Sequence, residues 1–384
     1  MKSYQFLIFF SIVMLIYASI NYYIYARAMQ AIPATSSFRI WFKWGFLLLA
    51  SAYVTGRIME RVYLSTFSDL LTWVGAFWLA IMVYGFLFVV LIDFIRLTNH
   101  FTGFLPQFVF SVQGKTAALY LSIAVVGIIV LTGHINAISP RINKFTLEVD
   151  KQANGLKELN IALASDIHMG TLIGPRRTGK LVDLINSQHP DIILLAGDIV
   201  DEDLAPVIRQ NLGQSLEKLS APMGIYGITG NHEYIGGAEP AVKYLESHGI
   251  TMLRDSVVNI SGLFYVAGRE DRDKNRFSGE KRKEIAELLV NIDHSLPVIL
   301  LDHQPFALEK AAEAGVDLQL SGHTHHGQLW PFNYITQAMY EISMGYKQKS
   351  NTHFYVSPGY GGWGPPVRIG NRPEIVMINL KFRQ

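Results

Sequence analysis

Four long apolar runs occupy the first 140 residues of this 384-residue chain and constrain its fold more than any other feature. They are approximately Phe6–Ala26, Ile40–Thr55, Leu70–Ile95 and Ala117–Ile138. Each approaches the roughly 20 residues that an α-helix needs to cross a bilayer. The second run is the weakest because Lys43 and Trp44 interrupt it. The pattern predicts a transmembrane region of four helices over residues 1–140, and the alternative is a large buried helical core.

The distribution of positive charge predicts an orientation for these runs. Four spans would leave both ends of the region on the same side of the membrane. The positive residues on that side are Lys2, Arg57, Arg61, Arg141, Lys144, Lys151 and Lys157, whereas those on the opposite side are Arg27, Arg39, Arg96 and Lys115. Because cytoplasmic loops are enriched in Lys and Arg, the bias predicts a multi-pass protein of the cell (inner) membrane whose rear half faces the cytoplasm.

Net charge and cysteine content limit the partners and sites that this chain can have. The formal net charge is +2, so no nucleic-acid partner is expected. The chain has no cysteine, which excludes disulfides and thiolate metal sites.

Behind residue 140, short apolar strands alternate with amphipathic helices, a pattern typical of βαβ units. The predicted strands are Ile161–Ser165, Asp191–Ala196, Gly224–Thr229, two short strands within Val257–Ala267, Val298–Leu301 and Leu318–Leu320. The predicted helices are Arg177–Asn186, Leu204–Leu219, Ala238–Ser247, a segment ending at Ile292 after the hydrophilic loop Arg269–Lys283, and Ala307–Ala314. The sequence therefore predicts an α/β domain over residues 141–384.

Side chains that bind metals follow five of these strands. The donors are Asp166 and His168, then Asp198, then Asn231 and His232, then His303, then His323 and His325. Open α/β sheets place their ligands at the carboxyl ends of the strands, so these residues are expected to share one edge. An isolated Asp-x-His pair is a weak signal, but five such blocks are improbable in a structural protein. Mixed nitrogen and oxygen donors suit manganese, iron or zinc.

The five blocks resemble the motifs of the calcineurin-like metallophosphoesterase superfamily. They read Asp166-x-His168, Gly197-Asp198-x-x-Asp201, Gly230-Asn231-His232-Glu233, a lone His303, and Gly322-His323-x-His325. The tail, with Gly327-Gln328, Tyr355 to Gly359 and Arg372 to Ile375, is similar to a membrane-linked bacterial branch. The resemblance runs from about Ile161 to the end and does not cover the four apolar runs. It implies a layered α/β/β/α sandwich.

The resemblance also implies ligands and roles. One divalent metal is expected on Asp166, His168, Asp198 and His325, and a second on Asp198, Asn231, His303 and His323. Asp198 would bridge the two ions, with manganese favoured over iron or zinc. Hydroxide held between the metals would attack phosphorus while His232 donates a proton to the leaving oxygen. Asp201 would orient His232, and Glu233 is a second candidate for that role.

Residues near the last block predict the substrate class. The segment Leu329–Tyr346 is aromatic, apolar and nearly uncharged, so we expect it to dip into the bilayer beside the site, with Trp330 contacting substrate. The alternative is a helix packed on the sheet or on the apolar runs. Arg176 and Arg177 are candidates for binding the substrate phosphate or, equally, for a solvated helix start.

The leading hypothesis is a membrane-embedded hydrolase of phosphodiester or pyrophosphate bonds in a lipid-linked substrate. The same motifs also permit a phosphomonoesterase. A non-catalytic metal-binding membrane module is a third hypothesis, although no donor position is lost. A transporter with a regulatory domain would need ionisable residues inside the spans, where only Lys43 and Asp93 qualify.

Overall fold

The structure, a computed structural model, describes residues 3–383, without the side chains of residues 3–6 and Phe9. The chain divides into two compact units. The first comprises Met1–Ile135 with Gly364–Val367, and the second comprises Asn136–Trp363 with Arg368–Gln384.

Four long helices build the first unit. They are α1 (Ser3–Ala31), α2 (Phe38–Val62), α3 (Thr66–Thr102) and α4 (Val112–Ala137), with a 3-10 turn at Gln107–Phe110. Each predicted apolar run falls largely within one of these helices. In the described part of the chain, α3 and α4 are the two helices long and apolar enough to cross a membrane. Most residues of their apolar windows are not buried, which disfavours the alternative of a buried helical core. Spans at α1 and α2 stay predictions.

Close backbone approach and one polar pair tie these helices together. A Cβ atom at Gly75 in α3 would lie 2.2 Å from Cα of Tyr53 in α2, so only glycine permits this crossing. The indole nitrogen of Trp78 in α3 donates to Asn21 Oδ1 in α1 at 2.9 Å. Both side chains are buried, and the hydrogen bond satisfies polar atoms that would otherwise be costly there.

Two six-stranded sheets form the second unit. The strands are β1 (Arg141–Val149), β2 (Glu158–Ala164), β3 (Ile192–Leu195), β4 (Ile225–Gly227), β5 (Thr251–Met252), β6 (Ser256–Ile260), β7 (Phe264–Gly268), β8 (Val298–Leu301), β9 (Leu318–Ser321), β10 (Gly345–Lys349), β11 (Thr352–Val356) and β12 (Glu374–Phe382). One sheet has the order β1-β12-β2-β3-β4-β5 and the other β10-β11-β9-β8-β7-β6. Strands β2 to β5 run parallel, as do β7, β8, β9 and β11.

The two sheets pack on one shared core, and helices cover their outer faces. Leu163 of β2, Leu194 of β3 and Leu301 of β8 belong to the core between the sheets. The helices of this unit are α5 (Pro175–Asn186), α6 (Leu204–Arg209), α7 (Gly213–Leu216), α8 (Asn231–Gly236), α9 (Ala238–Ser247), α10 (Lys274–Ser278), α11 (Ile285–Leu288), α12 (Leu308–Glu313) and α13 (Asn333–Met339). Helices α5 and α9 cover the first sheet, and α11 and α12 cover the second.

Three local predictions differ from the structure. The predicted helix Leu204–Leu219 is two short helices, because Asn211 takes a left-handed φ of 50° between α6 and α7. The predicted helix ending at Ile292 is only the four-residue α11, and the loop Arg269–Lys283 contains α10. Strands β1, β5, β10, β11 and β12 were not predicted.

Candidate metal centre

The ends of five parallel strands bring the predicted donors together. Asp166, Asp198 and Asn231 follow β2, β3 and β4 of one sheet, whereas His303 and His323 follow β8 and β9 of the other. The centre therefore lies where the carboxyl ends of both sheets meet. The donors form three groups, and within each group the donor atoms lie within 4.8 Å of one another. The groups are Asp166 with His168 and His325, His168 with Asp198 and His232, and Asp198 with His303 and His323.

The first group joins β2 to the turn after β9. His168 Nε2 and His325 Nε2 are 3.2 Å apart, and Asp166 Oδ1 lies 3.5 Å from His325 Nε2. Asp166 and His168 are buried. Two imidazole nitrogens that face each other beside a buried carboxylate form a favourable site for a cation.

Asp198 belongs to both of the other groups. Its Oδ2 lies 3.1 Å from His303 Nε2 and 3.8 Å from His168 Nε2. Asn231 Oδ1 lies 2.8 Å from His323 Nδ1. Asp198 therefore lies close to donors expected for each of the two metals. This is the position that the family resemblance implies for a bridging carboxylate.

The protonation chemistry of the donors fits divalent metals. Burial lowers the pKa of His323 to about 3 and also lowers the pKa of His325, so both imidazoles are neutral at pH 7, the form that ligates metals. Burial would likewise lower the pKa of His303, but neighbouring Asp198 outweighs it and raises that pKa well above the ordinary value. A metal held by His303 would displace this proton.

Two buried nitrogen atoms of the centre also indicate a site for a cation. His168 Nδ1 and His303 Nε2 form no hydrogen bond of acceptable geometry among the described residues, although Asp198 Oδ2 lies 3.1 Å from His303 Nε2. Because Ala196 O can only accept, His303 Nδ1 at 2.7 Å donates to it, and the lone pair of the neutral ring lies on Nε2. Buried polar atoms without partners need an explanation, and a cation supplies one at His303.

The backbone is strained where it presents the donors. Five of them have left-handed φ angles between 45° and 72°, namely Asp166, His168, Asp198, His323 and His325. Such conformations cost of the order of 1–3 kcal/mol each for residues other than glycine, and they concentrate at functional sites. No side chain larger than that of glycine fits directly before the donors Asn231 and His323. A Cβ atom at Gly230 would lie 2.2 Å from Asp198 Oδ1, and one at Gly322 would lie 2.2 Å from Asp166 Oδ2.

Glu233 holds the loops of the centre in place. Its Oε2 accepts from the backbone N–H groups of Asp198 at 3.1 Å and Gly230 at 2.7 Å, and its Oε1 accepts from Val200 N–H at 2.8 Å. No hydrogen bond joins Glu233 to the His232 ring in the described structure. The second sequence-based candidate for orienting His232 is therefore wrong, because the Glu233 carboxylate is used by backbone donors.

Asp201 is the residue placed against His232. The distance from Asp201 Oδ1 to His232 Nδ1 is 3.1 Å, and the same oxygen lies 3.6 Å from His168 Nδ1. Burial would lower the pKa of His232, but the carboxylates of Asp198 and Asp201 outweigh it and raise the pKa to about 9. His232 therefore carries a proton near neutral pH, as a general acid must.

The predicted substrate residues have different surroundings. Arg177 Nη2 donates to the carbonyl oxygens of Ala137 at 3.0 Å and Tyr360 at 3.3 Å, so it supports the backbone. Arg176 and Trp330 are exposed. In the part of the chain that the structure describes, none of these three residues forms a hydrogen bond or an ion pair with a metal donor. Their substrate roles stay predictions.

The segment Leu329–Tyr346 exposes much of its apolar surface. Helix α13 has no buried residue. Six large hydrophobic side chains of the segment are exposed, the last being Tyr346. We refer to the other five as the apolar lip: Trp330, Phe332, Tyr334, Ile335 and Met339. Tyr340 differs, because it is half-buried with its ring centroid 6.0 Å from that of His323.

Sequence reasoning missed further residues around the centre. Arg272 lies 4.1 Å from the ring centroid of Phe306, which is 4.7 Å from that of Tyr340. On the other side, the Trp363 ring lies 6.3 Å from that of His232. These residues come from separate loops and share no motif, so the hydrophilic character of Arg269–Lys283 was the one available signal.

Arg368 is a buried support for the last ligand loop. Its Nη2 donates to the carbonyl oxygens of Pro358 at 2.8 Å and Gly361 at 2.7 Å, and lies 3.4 Å from His325 Nδ1. Burial lowers its pKa to about 9. Neither its burial nor its proximity to His325 is visible in the sequence around it.

The fold and these donors define an α/β protein with a centre for divalent metals, and comparison with known proteins agrees. A family model described as calcineurin-like phosphoesterase matches residues 159–327. An uncharacterized metallophosphoesterase of Aquifex aeolicus is 34% identical over 250 residues, covering 65% of this chain and 94% of that protein. One from Campylobacter jejuni is 30% identical over 402 residues, covering 99% of this chain and 100% of that protein. A transmembrane protein with metallophosphoesterase domain from Danio rerio is 30% identical over 282 residues, covering 70% of this chain and 64% of that protein.

The chain belongs to the calcineurin-like metallophosphoesterase family and is a metal-dependent phosphoesterase. The resemblance drawn from the five sequence blocks is confirmed at this level. Because the relatives include a vertebrate protein, the narrower expectation of a bacterial branch stays a prediction.

Proposed function

We propose that the chain is a membrane-anchored dinuclear metal hydrolase of phosphodiester or pyrophosphate bonds in a lipid-linked substrate. One metal would be held by Asp166, His168, Asp198 and His325, and the other by Asp198, Asn231, His303 and His323. Two such cations, with manganese favoured, neutralise phosphoryl charge and lower the pKa of a water towards roughly 7. The proximity of the donor groups around Asp198 supports this arrangement.

His232 is the proposed proton donor to the leaving oxygen. Asp201 accepts from its Nδ1, so Nε2 is the nitrogen left to act on substrate. The carboxylate fixes the tautomer and ring orientation. Arg272, Phe306 and Tyr340 form a row beside His323, and we propose that this row contacts the part of the substrate beyond the scissile phosphate.

The apolar lip is the observation that carries the lipid-linked substrate class. It directly follows the last ligand block, and a contiguous exposed apolar surface marks a membrane or partner contact. Membrane association is also supported by the apolar helices α3 and α4 and by the relative named as a transmembrane protein. The charge bias of the loops supports placing the metal centre in the cytoplasm.

The test compares the lip with matched apolar residues elsewhere. Ile335 and Met339 are 56% and 59% exposed, and Ile208 and Val290, which lie outside the lip, are 57% and 68% exposed. Full burial of such a side chain contributes ~1.5–3 kcal/mol. Taking ~1 kcal/mol for each half-buried anchor, the Ile335→Ser/Met339→Ser variant should lose about 30-fold in kcat/KM on a bilayer substrate.

The assay uses purified full-length protein with manganese. Its substrates are a nucleotide-linked lipid in vesicles, an aryl phosphodiester and an aryl phosphomonoester. The lip variant should keep its rate on the soluble diester, and Ile208→Ser/Val290→Ser should match wild type on all three. Equal losses on lipid and soluble diester would remove the support for a lipid substrate. Faster turnover of the monoester than of the diester would favour a phosphomonoesterase, and no turnover of any substrate would favour a non-catalytic metal-binding module.

A further inference from the structure

A cavity of about 1040 Å³ lies within the first unit, separate from the metal centre. All four long helices line it, and every lining residue lies between Ile24 and Gly127. Its walls are mainly apolar and aromatic, with Phe42, Trp78 and Val126 among them. Its volume is at the upper end of the roughly 300–1,000 Å³ that is usual for small-molecule sites.

Positive charge collects at one end of this cavity. The charged lining residues are Arg27, Asp93, Arg96 and Lys115, and they lie near the ends of α1 and α3 and the start of α4. Asp93 pairs with Arg27 at 2.7 Å and with Arg96 at 3.9 Å. The Lys115 ammonium has no hydrogen bond or ion pair with any residue that the structure describes. Three cations and one carboxylate thus line this end of the cavity, which leaves an excess of positive charge.

The cavity has the dimensions of one membrane leaflet. The distance along α4 from Lys115 to Gly127 is roughly 18 Å at 1.5 Å per residue. Half of a bilayer hydrocarbon core is roughly 15 Å. Both α3 and α4, which supply cavity walls, are long and apolar enough to cross a membrane. The cationic end and the apolar channel are therefore arranged like the headgroup and tail of a lipid.

We propose that this cavity binds an anionic phospholipid, with the phosphate at Lys115, Arg27 and Arg96 and the acyl chains in the apolar channel. Charge complementarity favours this occupant over a second copy of the chain. The first unit has only three carboxylates, Glu60, Asp69 and Asp93, and each already interacts with another residue. The first unit of a second copy would therefore offer Lys115 no carboxylate that lacks a contact of its own. The proposal does not depend on the substrate of the metal centre.

Glycines in the cavity wall allow the site to be filled without disturbing the helices. Gly45 and Gly127 line the cavity, and a Cβ atom at either position would meet no other atom within 4 Å. A tryptophan at position 127 should therefore project into the channel. Its neighbour Ile128 is 62% exposed and does not line the cavity, so Ile128→Trp is a matched control on the same helix.

The test measures lipid binding to purified full-length protein. Wild type, Gly127→Trp, Ile128→Trp and Lys115→Gln are delipidated in one detergent and titrated with palmitoyl-oleoyl phosphatidylglycerol or phosphatidylcholine. Native mass spectrometry counts the bound lipids. Wild type and Ile128→Trp should each hold one phosphatidylglycerol and bind phosphatidylcholine more weakly. Gly127→Trp should hold none, and Lys115→Gln should bind phosphatidylglycerol about fivefold more weakly with no change for phosphatidylcholine.

Three results would overturn the proposal. They are equal lipid binding by Gly127→Trp and Ile128→Trp, equal affinity of wild type for the two lipids, and a lipid-free wild-type dimer that Gly127→Trp converts to a monomer. The last result would assign the cavity to a second copy of the chain. Circular dichroism checks that the variants fold. If Gly127→Trp does not fold, Gly45→Leu and Gly127→Leu provide the same comparison with a smaller side chain.

Discussion

Replacing Asp201 with Asn tests whether this carboxylate acts through His232. The Asn side chain keeps the shape and can still accept a hydrogen bond from His232 Nδ1, now 3.1 Å from Asp201 Oδ1, but the charge is lost. Hydrogen bonds to charged groups contribute ~1.5–3 kcal/mol, against ~0.5–1.5 kcal/mol for neutral ones. The difference of ~1–2 kcal/mol corresponds to a rate loss of about 5- to 30-fold.

The assay compares aryl phosphodiesters whose leaving phenols differ in acidity. A poor leaving group needs a proton, so Asp201→Asn should slow it more than an acidic phenol. His232→Ala should lose about 10²–10⁴-fold on the poor leaving group and keep its metal. In the double variant the effect of Asp201→Asn should disappear, because one residue acts through the other. Glu202→Gln is the matched control, since its oxygen lies 4.0 Å from the same nitrogen, and it should change the rate by no more than about twofold.

Several outcomes would refute this reasoning. Independent, additive losses in the double variant would mean that Asp201 does not act through His232. Equal losses for good and poor leaving groups would exclude proton donation. Loss of metal from Asp201→Asn would assign the carboxylate instead to His168, whose Nδ1 lies 3.6 Å away.

Two further substitutions test the metals and the supports of the centre. Asp198→Asn should abolish turnover and reduce the metal content from about two ions per chain, measured by elemental analysis; a fully loaded wild type with one ion would contradict the dinuclear assignment. Glu233→Gln leaves one amide oxygen for three backbone N–H donors and should cost ~1–3 kcal/mol, seen as a lower midpoint of thermal inactivation. The exposed Glu246→Gln is its control, and an equal shift in both variants would remove the support role of Glu233.

The donors could be predicted from the sequence because each is an unusual polar residue directly after an apolar strand. Strand prediction and ligand chemistry were enough to place Asp166 and Asp198 at one sheet edge. His303 was expected at the same edge, but it follows β8 of the second sheet. The orienting carboxylate was harder, since Asp201 was favoured by the family resemblance alone and Glu233 stayed a second candidate. Only the hydrogen bonds separate the backbone-bound Glu233 from the His232-bound Asp201.

Features that depend on contacts between distant segments could not be predicted. Trp363 lies beside His232 and Arg368 beside His325, yet neither belongs to a sequence block. The same is true of β1, whose parallel partner is β12. The alternation of apolar and polar residues along a strand identifies its two faces but does not identify the strand that pairs with it. The sequence predicted one helix over Leu204–Leu219. The left-handed conformation of Asn211, which the sequence did not predict, divides it into α6 and α7.

The position of β12 has a consequence for biosynthesis. This strand lies between β1 and β2, so β1 is joined to the rest of its sheet only by a strand that is synthesised much later. About 225 residues separate the end of β1 at Val149 from Glu374, which the ribosome adds in roughly 10–45 s at 5–20 residues per second. During that time β1 has no partner in its sheet and is a free edge that can pair with another chain. The sheet that carries Asp166 and Asp198 can therefore be completed only after translation has passed β12.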